Sequence, residues 1–343
     1  MIILSICIPT FNRAAHLRNC LSSLIQCGLS KLSEVQICIS DNCSTDTTKQ
    51  VVVEAEKVLT IKYQANQSNV GIARNFLEVV QMADGEFVWM LGDDDLLMPG
   101  ACERIIDLIY THAQVDYFYV NANHLNTEYV QNFPKPFNLK NLPKNMQPFS
   151  SWEESGEMPF LKLIDPKVSY DFLGGIFLSV FRRSMWSSHV GCLDKHALAD
   201  DRLFSHFDNT FPHVKVFANA YSNSLAYFSP EPASVCLTGA REWAPMFSMI
   251  MSIRIIEALE WYRKSGLSFL QYLKCRNYAL RGFVPQMGWI LLHPKVSGLR
   301  YVKVNKSMLS NLIYPNVYLS LVYYGVSKLG VLMSRFNIFA PKQ

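Results

Sequence analysis

Over the first 120 residues the apolar pattern alternates between two periods, and this constrains the fold more than any other property of the chain. "IILSICI", "EVQICIS", "TIKYQAN", "GEFVWML" and "VDYFYVNA" are short runs rich in strand-forming residues. Between them, Ala14 to Ile25, "STDTTKQVVVEAEKVL", "NVGIARNFLEVVQMA" and "PGACERIIDLIYTHA" read as helices. In the third of these, residues 72, 76, 79 and 80 share one helical face. "STD" and "PG" are helix-start signals for their segments. Strands and helices that alternate over short connections predict an α/β fold, a three-layer α/β/α sandwich around a mostly parallel sheet.

In such sheets ligands bind beyond the carboxyl ends of the strands. Polar residues accumulate there: Pro9, Thr10, Asn12 and Arg13 after the first strand, Asp41 and Asn42 after the second, Asn69 and Arg74 after the third, and Asp93, Asp94 and Asp95 after the fourth. Turns favour Asn and Asp at any one of these places, but four loops delivering polar groups to one edge point to a site. The three aspartates interrupt the apolar stretch "FVWMLGDDDLLMPG" and repel one another by about 1 to 4 kcal/mol per pair. One capping Asp would suffice for the helix that follows, so the excess charge points to a hard cation held by oxygen ligands.

Nine scattered cysteines, odd in number and never spaced C-x-x-C, argue against a zinc site or a disulfide framework and for a reducing compartment. The opening "MIILSICIPTFNR" lacks the basic start and cleavage site of a signal peptide and reads as a buried strand, so a cytoplasmic location is expected. Charge is uneven: residues 261–343 hold twelve Lys or Arg and no Asp or Glu, while residues 1–260 are net acidic. Basic residues interleaved with Trp, Tyr, Leu, Ile and Val suit an anionic membrane surface better than nucleic acid. Met308 to Met333 contains Pro315, Asn316 and Lys328 and reads as an interfacial segment rather than a spanning helix.

Beyond residue 120 the rhythm weakens. Asn121 to Lys167 reads as an irregular insertion over the site, "FLGGIFLSVFRRSMW" as a return to a strand, and "HALADDRLFSHF" as a helix start carrying Asp200 and Asp201. From Glu242 onward the pattern is helical, with breaks expected at Gly266, Pro285 and Pro294. The expected organisation is a domain over residues 1–240, with a nucleotide-binding half (1–120) and an acceptor half (121–240), followed by a helical basic extension over 241–343.

No G-x-G-x-x-G follows the first strand and no G-x-x-x-x-G-K-[ST] occurs, so dinucleotide and P-loop sites are excluded. An EF-hand loop fails because Met98 and Arg104 stand where Gly and Glu are required. A nucleotide-type site with a divalent cation remains, with Arg13 or Arg74 to offset diphosphate charge.

In order, "SICIPTFNR", "ICISDNCSTDTT", "NVGIARNF", "DGEFVWMLGDDDLLMPG" and "ALADDRLF" resemble the successive motifs of the family 2 glycosyltransferases, and within them the bacterial O-antigen transferases. The likeness is strong over residues 3–115 and absent from the C-terminal hundred. It implies a GT-A fold, a nucleotide-sugar donor, Mn2+ or Mg2+, and inversion at the anomeric carbon. It further implies that Thr10 and Asn12 line the nucleotide pocket beside Pro9 and Arg13, that Asp41 accepts hydrogen bonds from the base, and that Asn69 and Arg74 support the nucleoside and diphosphate.

Many relatives end the fourth strand Asp-x-Asp-Asp; with Pro99 as register, Gly92 replaces the first Asp here. The resemblance then gives Asp93 the ribose contact, Asp94 the metal, and Asp95 an outer position at the metal or acceptor. In the family the base is the Asp of a Glu-Asp pair, which corresponds to Asp201; His189 and His196 are nearby alternatives. The His that many relatives carry after the last core strand is missing from "AYFSPEPASV". The expected partners are a nucleotide sugar, a lipid-linked glycan of the polyprenyl-diphosphate type and the inner face of the cytoplasmic membrane. A sugar nucleotidyltransferase is the competing enzyme class, but "PTFNRAAH" lacks its glycine-rich loop. A binding scaffold without catalysis is the third reading.

Overall fold

The computed structural model describes residues 1–128, 138–239 and 243–335, with side chains as far as Val326. It divides into two units, Met1–Glu242 and Trp243–Gln343.

In the first unit the alternation appears as β1 (Leu4–Thr10), α1 (Ala14–Gln26), β2 (Val35–Asp41), α2 (Thr48–Ala55), β3 (Ile61–Ala65), α3 (Ile72–Gln81), β4 (Phe87–Met90), the short β5 (Leu96–Leu97), α4 (Ala101–Thr111) and β6 (Tyr117–Asn126). Buried apolar residues on both faces of β1, β2 and β4 explain why these strands read as continuous runs rather than alternations. Parallel pairing gives the order β3-β2-β1-β4. The sheet continues through β9 (Ser179–Arg182), antiparallel to both β4 and β6, and then through β10 (Leu225–Thr238), parallel to β6. The fold class is thus the expected α/β sandwich.

Three expectations change. The region from Asn121 is not wholly irregular: β6 runs on to Asn126, and β7 (Gln147–Pro148) and β8 (Gly156–Pro159) join the sheet edges of β6 and β10. Residues 129–137 of that region lie outside the described residues. Asp200 and Asp201 do not start a helix. After α5 (Arg183–His189) they follow α6 (Lys195–Ala199), and no regular element returns until α7 (Pro212–Ala220). The Asp200 carboxylate bonds instead to the Arg202 backbone N–H at 3.0 Å, a local turn that competes with helix. Finally, Pro285 does not break a helix. It sits in the first turn of Phe283–Leu292, where a missing N–H costs nothing.

The second unit is helical, with Ile255–Lys264, Phe269–Ala279, Phe283–Leu292, Val304–Leu309 and Pro315–Arg335 as its main elements. Its interior holds Arg276, whose guanidinium donates to Asn311 Oδ1 at 2.9 and 3.1 Å and pairs with Glu260 at 3.0 Å. No helix among the described residues is long and apolar enough to cross a membrane.

Candidate active site

The register of β1 and β2 sets Thr10 beside Asp41, and β1 with β4 brings the Asp93–Asp95 turn to the same edge. Thr10 Oγ1 donates to Asp93 Oδ2 at 2.8 Å. Arg13 crosses in front of the turn, with Nε 3.1 Å from Asp93 Oδ1 and Nη2 2.7 Å from Asp94 Oδ2. All three aspartates are buried. Burial, reinforced by the neighbouring Asp94 and Asp95, pushes the Asp93 carboxyl up to about 7 against the opposing pull of Arg13 and Thr10. One guanidinium therefore offsets two carboxylates that would otherwise face each other in low dielectric.

Asp95 turns the other way. Its Oδ2 accepts the Gly92 N–H at 2.9 Å, and its own N–H donates to Gly92 O at 3.0 Å, closing the turn on itself. Gly92 makes this possible. A Cβ there would lie 2.7 Å from Asp95 Oδ2 and 2.9 Å from Asp94 Oδ1.

The second and third loops are tied together by amides. Asn42 Nδ2 donates to Asn69 Oδ1 at 2.8 Å, and Asn42 Oδ1 accepts the Val70 N–H at 2.8 Å. Asn69 Oδ1 also accepts the Gly71 N–H at 2.9 Å, fixing the start of α3 where Gly71 has φ of 85°. Asn75, buried on α3, accepts from Ser40 Oγ at 2.7 Å and donates to Ser40 O at 3.1 Å. Asp41 accepts the Ser44 N–H at 2.9 Å and the Tyr63 hydroxyl at 2.8 Å. Asn12, with φ of 52°, spans the first two loops by accepting the Thr45 N–H at 2.7 Å. Asp46 binds the first amide of α1 (Ala14 N, 3.0 Å) and that of α2 (Thr48 N, 3.0 Å) through its two oxygens.

Sequence reasoning missed Asn75 and Tyr63. The signal for Asn75 was a polar residue on the inward face of an apolar helix, one turn before the buried Val79. Pro9 lies in β1 opposite Ser40 and is half-buried. Arg74 is exposed and makes no hydrogen bond or ion pair among the described residues; it lines a cleft of about 370 Å³ together with Gln81, Lys195 and Ala199. The cleft lies between α3 and α6.

The two members of that pair differ. Asp200 accepts from Arg202 Nε at 2.8 Å and Nη2 at 2.6 Å, from Ser205 Oγ at 2.7 Å, and lies 3.1 Å from His206 Nε2. Hydrogen bonds from Arg202 and then Ser205 hold its carboxyl well below the usual range. Asp201 is exposed and makes no hydrogen bond among the described residues. His189 Nδ1 lies 2.9 Å from the Met185 carbonyl in its own helix, and His196 sits within α6.

Among the described residues no group of three or more His, Cys, Asp or Glu side chains is arranged to hold a metal ion. Magnesium and manganese sites that serve diphosphates need only one or two carboxylates, the remaining oxygens coming from substrate and water. Asp94 is a hard-oxygen donor of that kind, with its Oδ2 held by Arg13 Nη2 at 2.7 Å.

Residues 5–171 match the family profile described as glycosyl transferase family 2. The chain is 26% identical over 243 residues to abequosyltransferase RfbV of Salmonella typhimurium, covering 68% of this chain and 66% of that protein. It is 33% identical over 184 residues to the GalNAc(5)-diNAcBac-PP-undecaprenol beta-1,3-glucosyltransferase of Campylobacter jejuni, covering 53% and 52%. It therefore spans less than two thirds of either relative. Among solved structures, S. aureus TarS 1-349 in complex with UDP superposes with a TM-score of 0.55 at 17% identity, covering 84% of this chain and 75% of that one. Motif order, family profile and fold agree: residues 5–171 form a glycosyl transferase family 2 domain, on a fold of the GT-A type.

Proposed function

We propose that the protein transfers one sugar, with inversion, from a nucleotide-sugar donor to a lipid-linked glycan. The observation that carries this reading is the meeting of four loops at one sheet edge: Thr10, Arg13, Asp93 and Asp94 form one bonded cluster, Asn42 and Asn69 another beside Asp41, and the Asn42 N–H donates to Thr10 O at 2.9 Å between them. In this reading Asp41 and Asn69 serve the base side, Thr10 and Asp93 the ribose, and Arg13 and Arg74 the diphosphate. The relatives named for abequose transfer and for an undecaprenol-diphosphate glycan support an acceptor built on a lipid diphosphate.

The reaction is a single displacement. The acceptor oxygen attacks the anomeric carbon, the bond from that carbon to the β-phosphate oxygen breaks, and the nucleoside diphosphate leaves with the electron pair. The hydroxyl proton passes to Asp201, the exposed member of the acidic pair. A divalent cation at Asp94, with Asp95 behind it, would offset the charge that develops on the departing diphosphate. Asp200, already bonded four ways, keeps the loop in place rather than exchanging protons.

The test is thermal stabilisation by UDP-, GDP-, CDP- and dTDP-sugars with Mn2+, since a ligand that binds only the folded state raises its melting temperature. One nucleotide series should raise it by several degrees, and a flat panel would remove the donor reading. In Asp94→Asn the manganese-dependent part of that shift is expected to vanish. A shift equal to wild type would take the metal away from Asp94.

We also place the second unit at an anionic membrane surface. Leu270, Leu292, Leu309 and Ile313 are between 69% and 80% exposed, in a unit whose last 83 residues have basic but no acidic side chains. Lys295, Arg300, Lys303 and Lys306 are exposed and belong to that set, whereas Lys342 lies outside the described residues. Replacing these four with Gln is expected to lower binding to phosphatidylserine-containing vesicles by at least about tenfold at 0.15 M salt, at roughly 1 kcal/mol per charge. Undiminished flotation would sink the surface assignment. Point substitutions serve better than truncation, because Tyr314, Val317 and Ser320 are buried.

A further inference from the structure

Between α6 and α7 the chain runs from Asp200 to Phe211 without a regular element, yet it is tightly specified by one side chain. Asn209, 8% exposed, donates from Nδ2 to Ser205 Oγ at 2.9 Å, to Arg202 O at 3.2 Å and to Asp200 O at 3.4 Å. Its Oδ1 accepts the His206 N–H at 2.9 Å. The carbonyls of Asp200 and Arg202 are those immediately before and after Asp201, so one amide group grips the backbone on both sides of it.

Two further observations set this loop apart from a passive connection. Phe204 is buried at φ of 55°, a conformation that costs a bulky residue roughly 1 to 3 kcal/mol and persists only where its surroundings enforce it. The far end of the loop is also anchored: Asp208 Oδ2 accepts from Lys215 Nζ at 2.6 Å and from the Asp194 N–H at 2.7 Å, tying it back to the start of α6. The result is an exposed carboxylate with no hydrogen bond of its own among the described residues, carried on a backbone held from both ends.

We infer that Asn209 is a positioning residue for the reaction, holding the Asp200–His206 loop so that the Asp201 carboxylate meets the acceptor hydroxyl in one fixed place. This inference rests on the reading of Asp201 as the base. A carboxylate displaced by about 1 Å loses on the order of a hundredfold in rate, so an amide that fixes its backbone acts on kcat while leaving the donor side untouched.

The experiment is a double-substitution cycle on the full chain, using the nucleotide sugar that stabilises the protein best in the panel and lipid-linked glycan extracted from the source cells. Asn209→Asp keeps the acceptor for the His206 N–H but sets carboxylate oxygens against the carbonyls of Asp200 and Arg202. It is expected to lower kcat at least about tenfold with donor KM within about twofold. Ser205→Ala, a milder change that removes one link to Asn209 and one to Asp200, should show a smaller loss of the same kind and covers the case in which Asn209→Asp fails to fold. In an Asp201→Asn background neither substitution should lower the residual rate further, because residues that act as one unit are not additive. A wild-type kcat in both variants overturns the inference, as does an equal loss in the Asp201→Asn background or a rise in donor KM that accounts for the whole effect. Wild-type turnover in Asp201→Asn alone removes the base reading instead, so the two failures are separable.

Discussion

Asp201→Asn is expected to lower the rate of sugar transfer by about two to four orders of magnitude while donor affinity stays within about twofold, the loss typical of removing a positioned general base. The substitution is nearly isosteric. Asp201 is exposed and makes no hydrogen bond among the described residues, so little structure depends on its charge. The same change at Asp200 would be a poor test, because that carboxylate binds Arg202, Ser205 and His206 and its loss would disturb the loop itself. Single-turnover transfer and calorimetric donor binding measured on the same preparation separate the two quantities. Turnover at the wild-type rate would show that the proton goes elsewhere.

The second large effect is expected at a position with no side chain. Gly92→Asp restores the residue that many relatives of this family carry at the end of the fourth strand, and it should weaken donor binding at least about tenfold rather than strengthen it. The new Cβ would fall 2.7 Å from Asp95 Oδ2 and 2.9 Å from Asp94 Oδ1, inside van der Waals contact with two buried carboxylates. Overpacking of this kind costs about 1 to 3 kcal/mol, and the added carboxylate joins three others, two of which pair with the Arg13 guanidinium. Gly92→Ala separates the two contributions, since it adds the Cβ without the charge. Urea unfolding reports the stability change, and calorimetry with Mn2+ reports the donor. Tighter binding in Gly92→Asp would mean that this turn adopts the arrangement of its relatives at no cost.

The first 120 residues were legible because their strands are short, apolar and separated by helices of clear period, so both the elements and the edge they present follow from local pattern. The insertion of β9 between β4 and β6 was not legible, because pairing between strands about ninety residues apart leaves no local trace. At the site, residue types were readable but allegiances were not. Asn12 and Asn69 direct their carbonyl oxygens to neighbouring backbone amides, and Asp95 closes its own turn. Sequence position brought these residues to the edge, but only the folded chain shows which groups face inward. The acidic pair misled in a similar way. Asp next to a short apolar run is a good helix-start signal, but here Arg202 and Ser205 draw the Asp200 carboxylate into a turn before any helix forms.

The bridge of Asn42, Asn69 and Asn75 has a consequence for how the protein meets a changing environment. These amides carry no net charge, so neither proton uptake nor dissolved salt acts on their bonds directly, while Asp41 and Asp46 hold other parts of the same loops. A few ångströms along the same edge, in contrast, Arg13 and the aspartates form a cluster that responds to both. A nucleotide sugar lying across this edge as proposed would meet neutral amides beside Asp41 at one end and the buried Arg13–aspartate cluster at the other.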